Sequence, residues 1–69
     1  MNRPDRQAVN TLKFGTTALY AQKEGITIRE AFERMQAVGA YEYIEKRAAI
    51  YMSKRYAYIV FDIKQVFGI

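Results

Sequence analysis

The run RYAYIVFDI, residues 55–63, decides what this chain can fold into, because it reads either as a strand or as a helix. Taken as a strand, Ala57, Ile59, Phe61 and Ile63 face one way, and Tyr56, Tyr58, Val60 and Asp62 the other. Its β-branched and aromatic content suits that reading. Taken as a helix, Tyr56, Ile59, Val60, Ile63 and Phe67 fall at spacings 0, 3, 4, 7 and 11, a pattern that runs on past the point where alternation stops. Gly68 then stands where a helix ends. A strand would also lack a second strand to pair with, and an unpaired edge is unfavourable. The run is therefore read as part of a helix over 55–67, with Tyr58, Phe61, Asp62 and Gln65 on its outward side. Two outward aromatics on one helix mark a contact surface.

The same spacing extends through the rest of the chain. Val9, Leu12, Thr16, Leu19 and Tyr20 form a helical stripe that begins after Asp5 and ends at Gly25, a glycine suited to the left-handed conformation past a last turn. Phe14 points away from this stripe, above Ala18 and Ala21, so the first helix has either two buried sides or one buried and one contact side. "TIRE" follows, with Thr27 and Glu30 at capping-box spacing. The second helix is expected to bury Ile28, Ala31, Phe32 and Met35, with Glu30–Arg34 and Arg29–Glu33 pairs outside and Gly39 closing it. A third helix is expected from about Tyr41 to Ser53, with Tyr41, Ile44, Ala48, Tyr51 and Met52 inward and Glu42 opposite Lys46. A second stripe on it, Tyr43, Arg47, Ile50 and Lys54, mixes aromatic, apolar and cationic groups. The expected fold is all-α, a compact bundle of four short helices in a single domain over 1–69, with residues 1–5 as a flexible arm. Pro4 fits that arm or a first helical turn.

Composition narrows the function. A chain of 69 residues is marginally stable alone and usually needs a disulfide, a metal or a partner. It has no Cys and no His, so disulfides, thiolate zinc sites, imidazole ligands and histidine bases are excluded. Ser53, the threonines and the tyrosines have no imidazole to activate them, and the carboxylates sit at caps or opposite cations, as a solvated ion-pair surface would. No cofactor, metal or enzymatic activity is expected. At 51% hydrophobic the chain is too apolar for disorder, yet no stretch reaches the ~18 apolar residues of a membrane span. The polar opening MNRPDRQAVN does not resemble a secretory signal, so a cytoplasmic location is expected. Six tyrosines are many for this length. Tyr20, Tyr41, Tyr51 and Tyr56 fit the core, while Tyr43 and Tyr58 fit an interface.

The stretch LYAQKEGITIREAFERM, through Ala21, Gly25, Ile26, Thr27, Ala31, Phe32 and Met35, resembles a family of very small bacterial proteins of unknown function. The resemblance continues through Tyr43 and Ile44, and then Ala57, Tyr58, Ile59, Val60, Asp62 and Ile63, covering roughly residues 14–68. Two positions depart from the family pattern: Met52 stands where a His is usual, and Arg55 where a small polar residue is expected. Genes of that family often lie beside genes for ADP-ribosyltransferase-like toxin domains. The resemblance thus implies an accessory or antitoxin-like binding module.

The expected function is protein–protein interaction, with a toxin-type enzyme or a second copy of the chain as partner. The expected partner-binding residues are Tyr43, Arg47, Tyr58, Phe61, Asp62 and Gln65. The alternative is a small basic DNA-binding regulator, since the net charge is +4 and Arg47 and Lys54 share a face with Tyr43, on which a base could stack. The cations are interleaved with Glu, however, and the Ala31-to-Gly39 spacing is looser than a helix-turn-helix usually shows.

Overall fold

The computed structural model describes residues 5–69, and among them every regular element is a helix: α1 (Arg6–Glu24), α2 (Ile28–Ala37), α3 (Ala40–Lys46), α4 (Ala48–Tyr51) and α5 (Tyr56–Phe67). The fold is an all-α bundle, and RYAYIVFDI is helical from Tyr56 onward. Of the expected arm, residues 1–4 lie outside the described residues. Asp5 is not part of a loose arm, because it caps α1: its carboxylate accepts the Ala8 backbone N–H at 2.6 Å, satisfying a donor that has no partner within the helix.

α1, the longest element, is the spine on which α2, α3 and α5 pack. It ends at Gly25, whose φ of 69° is left-handed. The Ile26 N–H reaches back to the Ala21 carbonyl at 3.0 Å and the Gly25 N–H to Gln22 at 3.3 Å. These paired bonds reverse the chain within two residues and deliver it to the α2 cap. There the capping box closes in both directions: the Glu30 N–H donates to Thr27 Oγ1 at 3.0 Å, and the Thr27 N–H to Glu30 Oε1 at 2.9 Å.

The expected third helix is two helices, so the bundle has five elements rather than four. At Arg47 the backbone leaves helical geometry (φ −105°, ψ 13°), and its N–H is shared between the carbonyls of Tyr43 and Ile44 at 3.1 and 3.2 Å. Such a tightened last turn ends a helix without glycine or proline, so no residue type announced the break. α4 then stops at Tyr51 rather than Ser53, and the chain turns through Met52–Arg55 into α5.

Ala31, Met35, Ala40, Ile44 and Ile59 are wholly inaccessible, with Tyr20, Tyr51, Val60 and Ile63 nearly so. Thr16, also fully buried, donates its hydroxyl to the Leu12 carbonyl one turn back, so a polar group sits in the core without an orphaned donor. Four expected core residues stand in solvent instead: Ile28, Phe32, Met52 and Tyr56. α2 is held by a narrower stripe than its sequence offers, since its buried residues are Ala31 and Met35. Tyr56 lies over Gly15 of α1, where a side chain of any size would meet its ring.

Candidate functional site

α5 buries Ile59, Val60 and Ile63 and turns the opposite side outward. Phe61 is 63% exposed and Tyr58 48%, one turn apart, with Gln65 exposed on the next turn. The Lys54 ammonium lies 5.1 Å above the Tyr58 ring and joins this face to the turn that precedes α5. Tyr58, Phe61 and Gln65 therefore stand where the periodicity placed them.

The other three expected contact residues have intramolecular partners. Tyr43 is half-buried, its ring edge-on to Phe67 at 5.3 Å and 6.5 Å from Tyr51. The Arg47 guanidinium lies over both Tyr43 and Tyr51, at 5.2 and 5.8 Å, and its Nε is enclosed without a hydrogen-bond partner among the described residues. Asp62 accepts a hydrogen bond from the Tyr51 hydroxyl. Burial and that carboxylate raise the Tyr51 pKa well above the ordinary tyrosine value, since each disfavours the phenolate. Asp62 thus supplies the buried hydroxyl with an acceptor, which accounts for a carboxylate inside an apolar run.

A second apolar surface lies on the Phe14 side of α1, one of the two alternatives the sequence left open for that side, and it includes Ile28 and Phe32, which were expected in the core. Phe14, Ile28, Phe32 and Tyr41 line an open groove of about 610 Å³ where α1, α2 and the start of α3 meet. Phe14 is 64% exposed, and the Phe32 and Tyr41 rings lie 5.4 Å apart. The Tyr41 hydroxyl is hydrogen-bonded to Thr17. Phe14, standing off the α1 stripe, was the one sequence signal for this surface.

Ion pairs tie the elements together around these faces. Glu45 of α3 receives Arg6 at 2.6 Å and Lys13 at 2.8 Å, both from α1, and these hydrogen bonds hold its carboxyl at a pKa of about 2. Glu24 at the end of α1 receives Lys64 of α5 at 2.5 Å and Arg34 of α2 at 3.7 Å. Arg34 also donates to the Tyr20 hydroxyl, so the expected Glu30–Arg34 pair is replaced by contacts between helices. Arg29–Glu33 forms at 3.7 Å, whereas no bridge joins Glu42 to Lys46.

Among the described residues no group of three or more Asp or Glu could hold a metal ion, and no helix is long and apolar enough to cross a membrane. Compared with protein-family models, curated proteins and solved structures, the chain matches none of them.

Proposed function

We propose that this chain is a protein–protein interaction module, an accessory or antitoxin-like regulator of a genetically linked protein, acting through the outward face of α5 in the cytoplasm. The observation that carries the reading is the contrast within one helix. Ile59, Val60 and Ile63 are at most 1% exposed, while Tyr58 and Phe61 between them are about half exposed or more. Aromatic side chains are preferred interface anchors, and truncating such an anchor typically costs ~2 kcal/mol or more of binding. The toxin-type partner comes from the family resemblance. The DNA-binding alternative is the weaker reading of this geometry, because the Tyr43 ring on which a base would stack is already engaged by Arg47 and Phe67.

The test is the double substitution Tyr58→Ala with Phe61→Ala, followed by sedimentation for self-association and by titration against the product of the neighbouring gene. The expected result is loss of assembly or binding with the melting transition nearly unchanged. Unaltered assembly and binding would sink the proposal.

A further inference from the structure

The net charge of this chain is concentrated in one corner of the molecule. Lys46, Arg47, Lys54 and Arg55 fall within residues 46–55, a segment without Asp or Glu. The other seven cations of the chain equal its seven carboxylates in number, so the +4 charge of the whole is the charge of this segment. The ion pairs sharpen the division. Arg6, Lys13, Arg29, Arg34 and Lys64 are the bridged cations among the described residues, and none of the four corner cations is bridged. Two carboxylates that flank this segment in sequence are engaged elsewhere, Glu45 by Arg6 and Lys13 and Asp62 by the Tyr51 hydroxyl, and Glu42 forms no bridge to Lys46.

The same corner is apolar. Ile50 is 52% and Met52 41% exposed, and every residue from Met52 to Tyr58 is exposed. Lys54 over the Tyr58 ring makes the corner continuous with the α5 face, and Phe61 follows one turn along.

We infer that the α4–α5 corner is the docking surface for an acidic amphipathic segment of the partner protein. Its apolar side chains would lie on Ile50, Tyr58 and Phe61, and its carboxylates would meet Lys46, Lys54 and Arg55. This rests on the interaction reading above and adds the chemistry of the partner. The occupant follows from charge complementarity. Unbridged cations beside half-exposed aliphatic and aromatic groups fit a surface that carries both carboxylates and apolar anchors. A second copy meeting this corner with its own would bring the same four cations and be repelled. Duplex DNA would engage the cations but leave Tyr58 and Phe61 without an apolar partner. An anionic bilayer is the competing occupant that the vesicle probe separates.

The experiment uses the full chain and a fluorescent helical peptide with Leu on one face and Glu on the others. Its control carries Lys in place of Glu, and duplex DNA and phosphatidylserine-containing vesicles serve as competing probes. The Glu peptide is expected to bind and the Lys peptide not, with backbone amide shifts confined to residues 46–66. Lys54→Glu with Arg55→Glu should weaken binding about tenfold or more, because two attractions become repulsions. Tyr58→Ala with Phe61→Ala should weaken it comparably. Binding of the Lys peptide as tightly as the Glu peptide would overturn the proposal, as would tighter binding to DNA or vesicles, or amide shifts centred elsewhere. If the neighbouring gene's product needs Tyr58 and Phe61 but is indifferent to the charge reversal, the acidic-partner inference falls and the interaction reading stands. If it is indifferent to both pairs, both fall.

Discussion

Tyr51 and Asp62 show how a single hydrogen bond in a small core acquires unequal ends. Tyr51 is 1% exposed, whereas Asp62 is only partly covered. Asp62→Ala strands a buried hydroxyl, at a typical cost of ~1–3 kcal/mol. Tyr51→Phe removes that hydroxyl and leaves a carboxylate that water can reach, so it should cost clearly less. Denaturant melts of both variants check this, and equal losses would contradict the assignment. The pH dependence follows in sign. The folded-state pKa of Tyr51 is raised, so its contribution is complete below the ordinary tyrosine value of 10.0 and is lost as pH climbs through the folded value. Tyr51→Phe should therefore lose less stability than the parent above about pH 10. Glu45 works in the opposite sense. Its pKa falls from 4.5 to about 2, so its contribution is present above about pH 4.5 and fades toward about pH 2. The gap in melting temperature between the parent and Glu45→Gln should shrink across that window. A gap independent of pH would mean that the Arg6 and Lys13 bridges do not form.

The elements owe their limits to local chemistry and their positions to close approach. Thr27→Ala removes the oxygen that caps α2, at a typical cost of ~1 kcal/mol, which in a domain of this size lowers the melting temperature by roughly 4–8 °C. An unchanged melting temperature would mean that the reciprocal Thr27–Glu30 bonds are not formed in solution. Gly15 is a different case, a glycine inside α1 that Ala would normally improve by ~1 kcal/mol. A methyl there would stand within 2.6 Å of the Cε1 and Oη atoms of Tyr56. Gly15→Ala should therefore deliver its full gain only in a Tyr56→Ala background. A double-mutant cycle by denaturant melts measures the difference, and a gain of equal size in both backgrounds would show that Tyr56 does not rest on α1.

For the whole molecule, α5 separates the determinants of folding from those of binding. Ile59→Ala or Ile63→Ala leaves a cavity in a core that no disulfide supports, since the chain has no Cys, and should cost ~2–5 kcal/mol each. In a domain of marginal stability that is a large part of the total. The paired change at Tyr58 and Phe61 should leave the melt nearly intact. Circular dichroism melts of the three variants distinguish the faces, and the reverse ranking would mean that the helix is turned the other way. Half-exposed aromatics at Phe14 and Phe32 mark the α1–α2 groove as a second surface whose substitution should spare the fold.

The helices themselves were legible in the order of residues. Spacing at 3 and 4, the Thr27–Glu30 box and the glycines at 25, 39 and 68 place most ends of α1, α2 and α5, because each of these signals acts within a turn or two of the chain. Three things depended on distance through space. The break at Arg47 belongs to a stretch of good helix formers and comes with the stacking of its guanidinium on Tyr43 and Tyr51. The exposure of Ile28 and Phe32 follows from α2 meeting α1 through Ala31 and Met35, so a wide apolar stripe is only half used. The role of Asp62 depends on which hydroxyl a separate helix brings to it. Periodicity tells which residues of one helix share a side. Only the packing of the helices against one another decides how much of that side is covered, because coverage is a property of the neighbour.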